Sequence, residues 1–190
     1  KNKKKIYFFD EKKKLFKVAN KKFTVIGGIK KLINSKIKIS EVIVAIGDNQ
    51  MRKKNFNLLK KKFKFTKLIH PQSYYACGVK LGAGSVVMPG SLINTDTKIG
   101  YNCIINSKSS IDHDCLIGDH THICPGVVLG GNVTIGKSCW IGLGAKIINN
   151  CIIGDNVFIA AGAVVTKHIK SNSFVKGIPA KYAKKRVAKL

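Results

Sequence analysis

The sequence predicts a mainly β protein, a parallel β-helix of about five coils that follows a small α/β unit. From residue 79 to residue 168 the chain divides into fifteen six-residue blocks without insertion, and the third residue of every block is Leu, Ile or Val. A six-residue repeat is typical of a β-helix in which each block supplies one short strand and one corner. Three blocks complete a coil, so residues eighteen apart are expected to stack at about 4.8 Å. An ordinary β-sandwich would need turns of varied length.

The first 70 residues lack this repeat and indicate alternating strands and helices. Strands are expected at 6–9, 41–46 and 65–69, and helices at 28–34 and from about 50 to 63. This order is typical of a parallel sheet in a Rossmann-like domain, although the Gly-rich turn that usually opens such a domain is missing, so we interpret the domain as truncated. We assign 1–70 to the α/β domain, 71–168 to the β-helix and 169–190 to a C-terminal cap and basic tail, with a short helix expected over 182–190.

The composition is strongly basic, with 35 Lys and Arg against nine Asp and Glu and a net charge of +26. Residues 1–70 hold 22 basic and four acidic residues, and residues 71–190 hold 13 and five. The lysines are scattered among Ile, Asn and Phe, without an aromatic-lined basic groove or a nucleic-acid motif. We therefore expect no nucleic-acid partner, and a non-catalytic basic binding module is the alternative of a different class.

Two further features concern location and cysteine chemistry. No run of about 18 apolar residues is present and the N-terminal stretch lacks the apolar core of a signal peptide, so we expect no membrane partner and a cytoplasmic location. Four cysteines, Cys103, Cys115, Cys139 and Cys151, hold the small first position of their blocks. We expect them to pack as small apolar residues.

Three motifs connect the chain to a known family. They are the aliphatic six-residue repeat, the sequence GIPAK that follows it, and an α/β unit containing FFDE, VIVAIGDNQMRKK and a His-Pro junction at 70–71. With these motifs the chain resembles the hexapeptide acyltransferases. Within that class it is similar to bacterial N-acetyltransferases of nucleotide-linked 4-amino sugars, such as UDP-bacillosamine acetyltransferase, and to the sialic acid O-acetyltransferase homologues.

The resemblance implies a left-handed β-helix, a homotrimer with sites at its subunit interfaces, acetyl-CoA as co-substrate and no metal. The expected reaction is acetyl transfer to the amine of a UDP- or GDP-4-amino-4,6-dideoxy sugar in surface glycan biosynthesis. Sialic acid O-acetylation is the alternative, because one base can serve an amine or a hydroxyl.

The most polar part of the repeat, residues 109–132, holds three of the five histidines. Acetyl transfer needs a base for the acceptor's proton and donors for the tetrahedral oxyanion. Imidazole titrates near neutral pH, which makes His113 the candidate base, with Asp114, or alternatively Asp112, fixing its tautomer. The resemblance implies the same roles for His113 and Asp114.

The eighteen-residue period places Gly131 one coil beyond His113, where it leaves space for an acetyl group. Pro125, Leu143 and Ala161 are expected to stack on another corner as modest or small side chains. The resemblance implies that coenzyme A runs along such a column, contacting Gly131, Leu143 and Ala161.

Other contacts are expected at single positions. The resemblance implies that His122 lies at the acetyl-CoA thioester, that Asn106 contacts the sugar, and that Asp10 and Glu11 hold the ribose hydroxyls. Lys176 and Lys181, near GIPAK, are candidates for the phosphates of the coenzyme.

Two other chemistries compete with this interpretation. Zinc sites in some hexapeptide prisms need three histidines that meet at a subunit interface, whereas His113, His120 and His122 fall on three successive blocks and three different faces. We therefore expect no metal. Direct transfer is favoured, and Cys124 is the nearest thiol for a ping-pong route.

Overall fold

The computed structural model describes residues 5–12, 15–18 and 21–184. Its strands are β1 (Phe8–Phe9), β2 (Leu15–Val18), β3 (Lys21–Gly27), β4 (Leu68–Ile69), β5 (Tyr74–Tyr75), β6 (Lys80–Leu81), β7 (Val86–Val87), β8 (Leu92–Ile93), β9 (Lys98–Ile99), β10 (Ile104–Ile105), β11 (Ser110–Ile111), β12 (Leu116–Ile117), β13 (His122–Ile123), β14 (Val128–Leu129), β15 (Thr134–Ile135), β16 (Trp140–Ile141), β17 (Lys146–Ile147), β18 (Ile152–Ile153), β19 (Phe158–Ile159), β20 (Val164–Val165), β21 (Phe174–Lys176) and β22 (Lys181–Tyr182). Its helices are α1 (Ile29–Ile33) and α2 (Asn49–Leu59). The chain packs as two compact units, Lys1–Ser40 and Glu41–Leu190.

The first unit contains a mixed three-stranded sheet with the order β1-β3-β2. β1 lies within the strand expected at 6–9, but the sequence predicts neither β2 nor β3. β1 runs parallel to β3, and β2 and β3 pair antiparallel. The expectation of a wholly parallel sheet is therefore wrong here, because β2 and β3 are joined by a connection too short for a parallel crossover. The helix expected at 28–34 is α1.

Residues 41–67 pack with the β-helix. The strand expected at 41–46 is reduced to an isolated parallel bridge between Val42 and Phe65. The expected second helix is α2, capped by Asp48, whose Oδ1 accepts a hydrogen bond of 2.7 Å from the Met51 N–H. α2 buries one face against the β-helix, and the division between the two packing units falls after Ser40.

The second unit is a parallel β-helix, as the sequence predicts. Its strands form three sheets of eight, six and five strands, in which successive parallel neighbours along the repeat are eighteen residues apart, as in the pairing of Ile104 with His122 and of His122 with Trp140. All fifteen third-position aliphatics are buried, and none is more than 5 % exposed. They fill the interior of the prism and form its core. The regular strands of the prism begin at Leu68, two strands before the repeat visible in the sequence.

The corners have a common backbone conformation. The sixth residue of fourteen of the fifteen blocks, from Gly84 to Gly162, has a positive φ. Gly, Asn and Asp tolerate this left-handed region best, and they hold most of these positions. The exception is His168, where the chain leaves the repeat.

The four first-position cysteines are free thiols, at most 3 % exposed, and lie in the core cluster. Burial raises the pKa of Cys103 to about 12 and that of Cys139 to about 11. They pack as apolar residues, as expected.

At the C-terminal end, β21 and β22 form an antiparallel pair. The helix expected over 182–190 does not begin at Tyr182, which is in β22, and residues 185–190 lie outside the described part of the chain. Within the described ranges no helix combines the length and apolar character needed to cross a membrane.

Candidate active site

His113 lies on the exposed corner between β11 and β12. Its Nδ1 is 2.8 Å from Oδ2 of Asp114, and both side chains are more than half exposed. A carboxylate accepts only, so Nδ1 carries the proton and Nε2 keeps its lone pair. The hydrogen bond that His113 donates to Asp114 raises the pKa of His113, and the charge of Asp112 adds to the effect. The arrangement is that of a general base with a fixed tautomer.

Asp112 forms different hydrogen bonds at this corner. Its Oδ1 accepts the backbone N–H of His113 at 2.8 Å and the side-chain N–H of Asn94 at 2.9 Å. The hydrogen bond from Asn94, followed by that from His113, lowers the pKa of Asp112. Asp112 therefore anchors the backbone that carries the base, and Asp114 is the residue at the imidazole.

Gly131 stacks on His113 one coil further along. The backbone N–H of Asn132 donates to the carbonyl of His113 at 2.9 Å, which fixes the register. A Cβ added to Gly131 would lie 2.7 Å from both Cε1 and Nε2 of His113. Only glycine leaves room for the imidazole at this position.

His122 is buried on a different side of the prism, in β13. Its Nε2 is 3.1 Å from Nδ2 of Asn106, whose Oδ1 accepts the backbone N–H of Ser107 at 2.8 Å. That contact fixes the orientation of the amide, so Nε2 is an acceptor and the ring proton lies on Nδ1. Nδ1 is buried without a well-formed hydrogen bond to any described residue. The ring packs edge-on against Trp140, with centroids 4.6 Å apart.

Both buried histidines are neutral at pH 7. Burial and, to a smaller extent, the positive charge of Arg52 lower the pKa of His122 to about 4. Burial also lowers the pKa of His120 to about 4; its Nδ1 is 2.8 Å from Nδ2 of Asn102. Because its pKa is low and its Nε2 already accepts from Asn106, His122 is not suited to act as a base at neutral pH.

Arg52 is a central residue that the sequence analysis missed. It is 1 % exposed, and burial lowers its pKa to about 10. Its guanidinium donates to five acceptors, which are the carbonyls of Ile46, Gly47, Asn102 and His120 and Oδ1 of Asn49, at 2.7 to 3.1 Å. Asn49 in turn donates to the carbonyl of Cys139 at 2.8 Å. These contacts fasten residues 46–52 to the strands that carry the buried histidines.

Pro125, Leu143 and Ala161 stack at a second corner, between the first and second sheets. The N–H of Gly144 donates to Pro125 at 3.0 Å, and the N–H of Gly162 donates to Leu143 at 2.8 Å. Leu143 and Ala161 are exposed. Asn106 and His122 belong to this side of the prism, whereas His113 and Gly131 belong to the corner between the second and third sheets. One chain therefore carries the predicted site residues as two groups.

The remaining predicted residues lie elsewhere. Glu11 accepts the N–H of Ile29 at the start of α1 at 2.9 Å, and Asp10 accepts the N–H of Lys12 at 2.8 Å. Lys176 and Lys181 pair across β21 and β22 and are exposed.

Cys124 is 1 % exposed, and burial raises its pKa to about 12, which disfavours the nucleophilic thiolate. In the described ranges, no three or more His, Cys, Asp or Glu side chains group in a way that suits a metal ion.

Comparisons with known proteins agree with this architecture. Residues 96–131 and 132–167 match the bacterial transferase hexapeptide (six repeats), and residues 1–59 match the PglD N-terminal domain. A histidine-to-asparagine variant of perosamine N-acetyltransferase from Caulobacter crescentus, in complex with CoA and GDP-perosamine, is 33 % identical with a TM-score of 0.83 over 86 % of this chain and 79 % of that one. The acetyltransferase domain of PglB from Neisseria gonorrhoeae, in complex with acetyl coenzyme A, is 32 % identical with a TM-score of 0.86 over 93 % and 85 %.

Two further proteins are similar to this chain. WeeI from Acinetobacter baumannii is 28 % identical with a TM-score of 0.85, over 93 % of this chain and 85 % of that one. The bifunctional protein GlmU of Syntrophotalea carbinolica is 30 % identical over 92 residues, and the match spans 48 % of this chain but only 18 % of GlmU.

The uninterrupted β-helix and its histidine-bearing corner define a transferase of the hexapeptide-repeat class. Within that class, the chain belongs to the hexapeptide-repeat sugar N-acetyltransferases.

Proposed function

We propose that this chain transfers the acetyl group of acetyl-CoA to the amine of a nucleotide-linked 4-amino sugar, a UDP- or GDP-4-amino-4,6-dideoxy sugar, in surface glycan biosynthesis. The observation that carries the proposal is the His113–Asp114 pair, which leaves Nε2 unprotonated, with the imidazole lying over Gly131 where no Cβ blocks it. The perosamine enzyme, solved with CoA and GDP-perosamine, supports an amine acceptor on a nucleotide sugar.

The reaction is a direct displacement. The amine attacks the thioester carbonyl, the new N–C bond forms, and Nε2 of His113 accepts the amine proton. The C–S bond then breaks and the coenzyme leaves as the thiolate, which takes up a proton. Backbone N–H groups near Gly131 and His122 stabilise the tetrahedral oxyanion.

The two groups of site residues point to an assembly. His113 and His122 lie on different sides of one prism, so one chain alone does not bring base and oxyanion donor to one thioester. We propose a homotrimer in which the His113 corner of one copy faces the side of its neighbour that carries His122, Leu143 and Ala161. Three equivalent sites then lie at the three interfaces.

Three further assignments belong to the proposal. Asn106 contacts the sugar, which places the acceptor beside His122. The N-terminal α/β part holds the nucleotide through Asp10 and Glu11; both carboxylates already accept backbone N–H groups, and a ribose would share them. The six free cysteines suit a reducing compartment, and we place the enzyme in the cytoplasm.

The reaction is tested by thiol release from acetyl-CoA with a panel of UDP- and GDP-linked 4-amino sugars and free sialic acid. We expect turnover with an amino sugar, and a fall in kcat of about 10² to 10⁴ in His113→Ala with the fold retained. Turnover with sialic acid alone would show that the acceptor group is a hydroxyl and not an amine. Full activity of His113→Ala would show that His113 is not the general base.

The shared site is tested by mixing two inactive variants, His113→Ala and His122→Gln, after unfolding and refolding them together. In a trimer whose sites combine the two histidines from neighbouring copies, about one quarter of the interfaces regain both. Recovery near that fraction supports the arrangement. A mixture as inactive as its components would place both histidines of each site on one chain.

A further inference from the structure

We infer that Asn94 is a positioning residue for the base and acts on His113 through the side chain of Asp112. The inference deepens the proposed function and rests on it, because it assumes that His113 accepts the proton of the amine. Asn94 follows β8 and precedes β9, so it lies at the same corner as His113, one coil earlier. Eighteen residues separate it from Asp112.

The base needs an anchor because its corner faces solvent. More than half of the His113 side chain is exposed. Its imidazole is hydrogen-bonded to Asp114, but Asp114 is the next residue in the chain and moves with it. That hydrogen bond fixes the tautomer, whereas the direction of the pair is left to the backbone. Because a displacement of about 1 Å can cost much of the rate, the orientation of the backbone at residue 113 matters for the reaction.

One carboxylate oxygen connects that backbone to the previous coil. Oδ1 of Asp112 accepts the backbone N–H of His113 at 2.8 Å and the side-chain N–H of Asn94 at 2.9 Å. A carboxylate only accepts, so Asn94 presents the N–H₂ end of its amide. A hydrogen bond to an ionised acceptor is of the stronger, charge-assisted kind. Asn94 thereby ties the contact between residues 112 and 113 to the body of the prism.

The main chain around Asp112 is already fixed, so Asn94 controls the direction of the carboxylate. The carbonyl of Asp112 accepts the hydroxyl of the buried Thr97 at 2.8 Å. The backbone N–H of Asn94 donates to the carbonyl of Ile111 at 2.9 Å, which holds the donor in place. The remaining freedom is rotation of the Asp112 side chain. Without Asn94, that carboxylate turns to solvent or to the imidazole, where it competes with Asp114.

The test measures kcat and KM of Asn94→Ala with acetyl-CoA and the amino sugar that the wild type accepts. We expect kcat to fall roughly tenfold, because the imidazole is displaced from the amine, and KM for acetyl-CoA to stay within about twofold. Asn156→Ala is the matched control. Nδ2 of Asn156 donates to Oδ1 of Asn172 at 2.9 Å, which is an equivalent hydrogen bond between coils at the corner between the third and first sheets. This control is expected to leave kcat unchanged.

A double-mutant cycle shows whether Asn94 acts through Asp112. Asp112→Ala removes the acceptor, so in that background we expect Asn94→Ala to change kcat by less than about twofold. An equal fall in both backgrounds would overturn the route through Asp112. An unchanged kcat in Asn94→Ala, or an equal fall in Asn156→Ala, would overturn the positioning role.

Asn94→Asp is a second variant for the case that Asn94→Ala does not fold. It keeps the shape of the side chain but, when ionised, offers no donor, and we expect kcat to fall at least as far as in Asn94→Ala. A wild-type kcat in Asn94→Asp would overturn the inference.

Failure of the inference and failure of the proposed function give different results. A wild type that acetylates no amino sugar contradicts the proposed function, whereas equal kcat in an active wild type and in Asn94→Ala contradicts this inference alone. Hydrogen exchange of the His113 backbone N–H, followed by NMR without acceptor sugar, tests the anchor separately. We expect faster exchange in Asn94→Ala than in the wild type, and equal exchange would overturn the anchor.

Discussion

The exposed corner around His113 and the buried side around His122 place the same type of side chain in opposite environments. At the corner, Asp114 is the next residue in the chain, both groups face solvent, and the pKa of the imidazole rises. On the buried side, the partners of His122 come from Asn106, Trp140 and the Arg52 region, and burial lowers its pKa to about 4. In the proposed reaction the imidazole of His113 takes a proton, whereas the buried imidazole of His122 stays neutral. Adjacent residues determine the first environment and long-range packing determines the second.

Removal of Arg52 is expected to have the largest effect on the buried side. Arg52→Met leaves up to five acceptors without a partner in an interior that excludes water, and we expect a loss of about 3–5 kcal/mol in the free energy of unfolding. Urea unfolding followed by circular dichroism measures it. Lys54→Met, on the exposed face of the same helix, is the control and is expected to change stability by less than about 0.5 kcal/mol. An equal loss of unfolding free energy in both variants would show that the hydrogen bonds of Arg52 make no specific contribution to stability.

The contrast between the exposed corner and the buried side explains which features can be predicted from the sequence. The third-position aliphatics and the left-handed corner residues repeat every six positions, so the sequence alone predicts the coil register and the stacking of Gly131 on His113. Arg52 has no such signature, because in a chain with 35 Lys and Arg one more basic residue in a helix looks solvated. Its role depends on carbonyls 50 and 68 residues away.

The same limit applies at the N-terminus. The sequence predicts the strand at 6–9 but neither β2 nor β3, because their lysines obscure the apolar alternation that indicates a strand. The six-residue repeat, in contrast, assigns His113 and the column of Pro125, Leu143 and Ala161 to different corners of the prism.

Gly131→Ala tests how the exposed corner positions His113. The new Cβ would lie 2.7 Å from the imidazole of His113, which can rotate away because it is the far end of an exposed side chain. We expect little change in unfolding free energy but a fall of roughly tenfold to a hundredfold in kcat/KM, because the base is displaced from the acceptor. Steady-state kinetics and urea unfolding separate the two effects. Stability loss with unchanged kcat/KM would mean that Gly131 serves packing alone.

The buried side predicts a pH effect on stability. His120 and His122 have folded pKa values of about 4, below the usual value of about 6.5, so the unfolded chain binds more protons between these limits. Stability is therefore present above pH 6.5 and falls as the pH drops toward 4, by about 2 kcal/mol for each histidine between pH 7 and pH 5. Urea unfolding at the two pH values measures it. The His120→Gln, His122→Gln double variant is expected to lose most of that dependence, and an undiminished dependence would assign it to other groups.

Asp114→Asn gives the smallest expected effect and acts on the exposed base alone. Asparagine tolerates the left-handed backbone of residue 114, so the corner is retained while the negative charge is lost. The pKa of His113 then falls. Because the base works unprotonated, the acid limb of kcat/KM moves to lower pH, while the maximum falls about tenfold as the imidazolium loses its carboxylate. Asp96→Asn, at the equivalent corner position one coil earlier, is the control and is expected to leave the profile unchanged. If the acid limb of the kcat/KM profile stays in place in Asp114→Asn, another group accepts the proton. The different environments of the two histidines would then not explain their roles in the reaction.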